Sequence, residues 1–221
     1  MKLFINEKLG EISLKIDRAE ATTRVLVIAH GAGAGMMHPF LSGLAAELIL
    51  GGTTCVRFNF PYMEQGRKAP GSQKDALFTW KAVTQKVAAL FPKADLFLSG
   101  KSYGGRMASH LVAEDTEMKP KGIIYFGFPL HAPGKDSKDR ASHLPTIEVP
   151  QLFLQGSKDK LANIDLISEV TRELELAHLE TIIDADHSFN VPKKVGITQE
   201  EMLSKLAQKA SQWMDHIALR S

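Results

Sequence analysis

Ser102, Asp159 and His187 each stand just beyond a short apolar run, in an order and spacing that suit acyl transfer. A serine hydroxyl is a weak nucleophile until an imidazole takes its proton, and the imidazole works best when a carboxylate fixes its tautomer and orientation. Ser102 is the centre of Gly100-Lys101-Ser102-Tyr103-Gly104, which closes the run Leu96-Phe97-Leu98 and passes at once into helix-forming sequence. That is the strand, sharp turn and helix of a nucleophile elbow. Glycines are needed where a Cβ would strike the neighbouring strand or helix, and the serine then sits at a helix N-terminus, where free N–H groups favour negative charge. Gly100-Lys101-Ser102 also matches the tail of a phosphate-binding loop, but that motif requires glycine where Asp95 stands. The remaining alternative is a tight turn with an idle serine, and the partners decide against it.

Asp159 closes Gly156-Ser157-Lys158-Asp159 after the run Leu152 to Gln155, and His187 follows Asp184-Ala185-Asp186 after Leu179 to Ile183. Alone, the first reads as a turn or helix-cap residue and the second as a surface histidine. Together with Ser102 they fall in the order Ser, Asp, His, each past a different strand, and coincidence becomes a poor account. Asp184 and Asp186 are too near His187 in sequence to reach the ring nitrogen that faces away from the serine, so Asp159 is the expected acid. His30-Gly31-Ala32-Gly33, after another strand, is free of bulky side chains, and the backbone N–H groups of Ala32 and Tyr103 are the expected oxyanion hole. A dinucleotide loop fits poorly there, because Met36 occupies the third small position and the next strand ends in Asn59 rather than an acid.

Positioning these residues takes alternating strands and helices. Leu3 to Asp17 reads as a hairpin around Leu9-Gly10, and Arg24 to Ala29 as a strand covered on both faces. Further strands are expected at Thr54–Phe60, Gly122–Phe128, Gln151–Gln155 and Leu179–Ile183, besides the run into the elbow. Helices are expected from Pro39, over Asp75–Phe91, after the elbow, around Ile164 to Leu174, and over Thr198–Ile217, where Thr198 and Glu201 have capping-box spacing. Pro61–Gln73 and Pro129–Val149 read as loops. Such alternation implies a mostly parallel sheet wrapped by helices on both faces, and residues 1–221 read as one domain.

Composition excludes more than it identifies. A net charge of +2 gives no overall pull toward nucleic acid or a membrane, and no run approaches membrane-spanning length. Charges within Met1 to Lys8 do not suit a signal peptide, so a cytoplasmic setting is expected. The single cysteine, Cys55, falls in an apolar strand where it reads as a small core residue. No metal or organic cofactor is called for, since no His/Cys cluster has ligand spacing. His131 and His143, in the loop after Phe128, are candidates for the cleft lining.

These motifs carry a resemblance to small α/β-hydrolases. From about Arg24 to His187 the chain resembles the branch containing testis-expressed protein thirty, the hydrolase-like domain of a chromatin-modifying complex subunit and many uncharacterised bacterial proteins. The branch-specific pieces are Arg57-Phe58-Asn59-Phe60-Pro61-Tyr62 and Phe128-Pro129-Leu130-His131. The resemblance implies an α/β-hydrolase fold with an antiparallel second strand, a Ser102 nucleophile, an Asp159 acid and a His187 base. Because its chromatin member suggests a scaffold, it also leaves room for a protein partner.

The expected function is hydrolysis of a carboxylic ester or thioester through an acyl-enzyme; the alternative is a non-catalytic hydrolase-fold interaction module. With no cap domain between Phe128 and Gln151, the cleft is expected to be open and shallow and to favour short acyl groups. Four loops are expected to rim it: Pro61–Gln73, Pro129–His143, Gly156–Lys160 and Ser188–Thr198. They hold nine cations against four carboxylates, a balance that reads either as ordinary solvated loop charge or as a rim that steers anionic small-molecule substrates.

Overall fold

The apolar runs become the strands of one eight-stranded sheet in the computed structural model, which describes residues 1–219. The strands are β1 (Lys2–Asn6), β2 (Gly10–Asp17), β3 (Arg24–Ala29), β4 (Thr53–Phe58), β5 (Asp95–Lys101), β6 (Gly122–Phe126), β7 (Gln151–Gly156) and β8 (Ala177–Ile182). Their order across the sheet is β1-β2-β4-β3-β5-β6-β7-β8. β2 runs antiparallel to both β1 and β4, and every pair from β4 to β8 is parallel.

Strand periodicity divides the core in two. In β3, Val25, Val27 and Ala29 face one side and Leu26 and Ile28 the other, and all five are buried. The first side packs against α3 (Gln73–Leu90), α4 (Tyr103–Glu114) and α5 (Ile164–Arg172); the second packs against α1 (Pro39–Leu50) and α6 (Gln199–Ala218). A sheet buried on both faces needs apolar residues at successive positions, which is why these strands read as unbroken apolar runs. Cys55 is buried in β4, where loss of hydration pushes its thiol up to about 12. Among the described residues no helix is long and apolar enough to cross a membrane.

Departures from the expected elements are local. The segment read as one loop after β4 begins with a four-residue helix, α2 (Pro61–Glu64). Its Pro61 stands in the first turn, where proline's fixed φ is tolerated. β6 stops at Phe126 because Gly127 turns left-handed, with φ 74°. Between β6 and β7 lie only two short 3-10 turns, so no cap domain covers the sheet.

β3 is the point where the strand order turns: chain continuity runs outward to β4 on one side and to β5 on the other. Crevices beyond the carboxyl ends of strands at such a point are the usual ligand sites of open parallel sheets. Here that places the loop after β3 beside the turn after β5, because Ala29 pairs in register with Gly100.

The helix that closes the fold, α6, carries the capping box expected of it. The Glu201 N–H donates to Thr198 Oγ1 at 3.2 Å, and Glu201 Oε2 accepts from the Thr198 N–H at 2.7 Å. Thr198→Ala should therefore lower the unfolding free energy by about 1 kcal/mol in a urea titration without altering the m-value.

Candidate active site

Ser102 is held in backbone that non-glycine residues rarely adopt, with φ 51° and ψ −117°. Close packing of α4 on the sheet enforces it. A Cβ on Gly100 would lie 2.3 Å from the Gly105 nitrogen, and one on Gly104 would lie 2.6 Å from the His30 oxygen. Both contacts are with backbone, so neither can be relieved by a side-chain rotation. The turn projects Ser102 at the N-cap of α4, beside the loop that follows β3.

Asp159 and His187 come from the loops after β7 and β8, neighbouring strands that pair up to Gly156 and Ile182. The His187 loop leans back toward β5, and its left-handed residues, Asp184 at φ 60° and Phe189 at φ 61°, make the tight return. His187 Nε2 lies 2.8 Å from Ser102 Oγ, and His187 Nδ1 lies 2.6 Å from Asp159 Oδ2. The carboxylate can only accept, so Nδ1 carries the ring proton and Nε2 is left to accept from the serine hydroxyl. The Asp159 side chain is fully buried, and two further donors hold it: Gln155 Nε2 at 2.5 Å on Oδ2 and the Leu161 N–H at 2.7 Å on Oδ1. Gln155 is itself oriented by the Phe128 N–H, 2.9 Å from its Oε1.

Asp186 serves a different end. Its Oδ1 accepts from the Ser188 and Asn190 N–H groups, at 2.8 and 2.9 Å, and so shapes the histidine loop. Ala32 and Ser102 line a common cavity, and Tyr103 begins α4, where its N–H has no partner within the helix.

The loop carrying Ala32 is braced from below. His30 is wholly buried; its Nδ1–H donates to the Gly31 oxygen at 2.8 Å and its Nε2 accepts from the Phe60 N–H at 3.1 Å. Burial holds its pKa down at about 4, so the ring is neutral, as this pair of bonds requires. Arg57 is almost fully buried in β4. It donates to Asp17 Oδ2 at 2.7 and 2.9 Å, to the Met36 oxygen at 2.7 Å and to Ser42 Oγ at 2.8 Å. Asn59 Oδ1 accepts from the Met36 N–H, and Asn59 Nδ2 donates to Glu64. Burial would raise the pKa of Glu64, but hydrogen bonds from Asn59, Lys2 and Ser13 outweigh it and hold the carboxyl below its usual range. The Arg57-to-Tyr62 segment, legible in sequence only as a family marker, thus sets the position of the glycine-rich loop.

Ser102 and His187 open onto a cavity of about 630 Å³. Its walls differ from those expected. Pro61–Gln73 and Pro129–His143 contribute nothing to the lining, and none of the nine rim cations does. The first turns of α1 and α6 form the sides instead, through Phe40, Leu41, Gln199 and Leu203. The volume is that of an ordinary small-ligand pocket. His131 and His143 lie elsewhere. His131 Nε2 accepts from the Asn163 N–H at 2.8 Å, and His143 stacks on His110 at 3.6 Å with Ser109 Oγ 2.8 Å from its Nε2.

A family model described as an alpha/beta hydrolase domain matches residues 22–215. The chain belongs to that family. Among solved structures, this hydrolase-domain chain is similar to the dienelactone hydrolase of Anabaena variabilis, with 20% identity, a TM-score of 0.78 and coverage of 98% of this chain and 95% of that one. It is also similar to an alpha-beta serine hydrolase homologue from Coxiella burnetii, at 20% identity, TM-score 0.73 and coverage of 93% and 96%. A protein from Xanthomonas campestris, described as a serine hydrolase without a lid, matches at 21% identity, TM-score 0.72 and coverage of 100% and 94%. At these identities the likeness is one of fold.

Residues to which sequence alone assigned no role in the site carry much of it: Gln155, Arg57, Lys101 and the α1 and α6 walls. For the first two a signal existed, since each is a long polar side chain next to apolar residues in a strand buried along its length, where a polar group must find partners.

Two outcomes follow from these geometries. Arg57→Met strands the Asp17 carboxylate, the Met36 carbonyl of the loop and the Ser42 hydroxyl of α1, so it should cost about 3 kcal/mol by urea unfolding, with part recovered on adding Asp17→Asn. The second concerns pH. His30 titrates near 4 in the fold against 6.5 in the unfolded chain, so the unfolded state binds the extra proton and stability falls as pH drops from about 6.5 to 4. The loss from this residue should approach roughly 1.4 kcal/mol per pH unit, and urea unfolding of His30→Gln across that window should show a correspondingly flatter slope.

Proposed function

We propose that the protein is a serine hydrolase that cleaves a carboxylic ester or thioester through an acyl-enzyme. The observation that carries this reading is the unbroken hydrogen-bond chain Ser102 Oγ, His187, Asp159, with its serine end facing the cavity. An interaction module has no need of a buried carboxylate held by three donors so that it can orient a histidine.

In this mechanism Ser102 Oγ attacks the acyl carbon as His187 Nε2 takes its proton. Asp159, held in place by its donors, stabilises the imidazolium. The N–H groups of Tyr103 and Ala32 receive the oxyanion, aided by the positive end of the α4 dipole. His187 then protonates the departing alkoxide or thiolate, and a water activated by the same nitrogen releases the acid. The narrower kinship with the branch containing testis-expressed protein thirty belongs to this proposal as well, and the Arg57-to-Tyr62 brace is its support.

Labelling by a fluorophosphonate probe, alongside turnover of 4-nitrophenyl esters, tests the assignment. Ser102→Ala should abolish both while leaving thermal stability equal or higher, since the strained, cavity-facing serine contributes little to the core. Asp159→Asn should lower kcat by about 10⁴, whereas Asp186→Asn should retain far more activity. Wild-type labelling by the Ser102→Ala variant would overturn the nucleophile assignment.

A further inference from the structure

Lys101, the residue before the nucleophile, has a setting that the hydrolytic chain leaves unexplained. Its side chain turns under the histidine loop, where Nζ donates to the His187 oxygen at 2.6 Å. Nζ also lies 5.5 Å from the centroid of the Phe189 ring and 6.0 Å from that of Phe40, two rings stacked 5.8 Å apart. No carboxylate lies within ion-pair distance of it among the described residues. The two nearby acids are engaged elsewhere: Asp159 by His187, Gln155 and Leu161, and Asp186 by its own loop. An ammonium has three donors, and one of them is used.

The cavity that Lys101 lines is complementary in sign. Its walls are mostly apolar, and no aspartate or glutamate lines it. A partly buried cation that lines the cavity gains from an anion bound there, because the charge-assisted contact is made away from bulk water. We propose that Lys101 selects substrates carrying a carboxylate close to the scissile ester, which its ammonium receives within the cavity. This rests on the serine-hydrolase reading and narrows it to a substrate class.

The charge therefore acts inside the site rather than at its rim, and the two can be told apart by salt. Steering by exposed charges fades with ionic strength, whereas a desolvated contact is screened little. A pH signature accompanies it. Burial lowers the Lys101 pKa to about 8, against the opposing pull of Asp159 and Asp186. Discrimination should thus be present below that pH and be lost as pH rises through it. The proton transfer by His187 is common to both members of a matched substrate pair and cancels in the ratio, whereas a charge on His38, which also lines the cavity, would act on the anionic member alone, so the pH profile is repeated with His38→Gln.

The test compares kcat/KM for mono-4-nitrophenyl glutarate with 4-nitrophenyl hexanoate, and for 4-acetoxybenzoate with phenyl acetate, so that the carboxylate is presented on the acyl and on the alcohol side in turn. At pH 7 the wild type should favour the anionic member of at least one pair by about tenfold or more, with the ratio little changed between low and high salt. Lys101→Met should bring that ratio to one or below, whatever its effect on absolute rates, and Lys101→Arg should keep most of it. Equal or inverse ratios in both wild-type pairs would overturn the inference, as would a preference that survives in Lys101→Met or vanishes with salt. Fluorophosphonate labelling separates the two levels. Labelling without anion preference removes the Lys101 role and leaves the hydrolase standing; no labelling and no turnover removes both.

Discussion

The site depends on how closely α4 approaches β5 and β3. Because Gly100 and Gly104 lack side chains, helix and strand meet at backbone contact, and the intervening residue is driven into left-handed space. A serine tolerates that conformation only because the packing on both sides over-determines it. The same approach brings the N-terminus of α4 beside the loop after β3, so the turn that strains Ser102 also brings together two segments that line the cavity.

A second constraint keeps the glycine-rich loop from collapsing into that site. Arg57 reaches from the middle of the sheet to the Met36 carbonyl and Ser42, with Asp17 of the antiparallel β2 neutralising it. Asn59 takes the Met36 N–H, so both polar groups of one peptide region are engaged by β4 and its end. Buried charge in the sheet is costly unless fully partnered, and here the partners are a loop carbonyl, a hydroxyl in the first turn of α1 and a carboxylate of the flanking strand. The antiparallel hairpin is thus more than an edge extension, since it supplies the counter-charge.

The cavity adds a feature of another kind. Its lining holds two chemically different polar groups side by side in sequence, a hydroxyl and a cation, each bonded to a different atom of His187. Ser102 faces His187 Nε2, while Lys101 engages the backbone oxygen of the same residue. One histidine loop is therefore held at two points by consecutive residues of the elbow, which limits how far the imidazole can drift from the serine.

By itself the sequence determined the alternation of strands and helices, the elbow, and the order of Ser102, Asp159 and His187, because these are written in local pattern: apolar periodicity, glycine spacing and capping residues. It also carried the choice of Asp159 over Asp186, through the reach of a carboxylate along its own chain. Tertiary structure alone decided what lies around them. That Gln155 holds the carboxylate, that Arg57 braces a loop some twenty residues earlier, that α1 and α6 wall the cavity, and that His131 and His143 turn away from it are all outcomes of strand order. Crossover connections place β3 between β4 and β5, and no local pattern states which strand will lie beside which. Lys101 was passed over for the same reason: counting cations along loops weighs all of them alike, whereas folding places Lys101 in the cavity lining and leaves the others outside it.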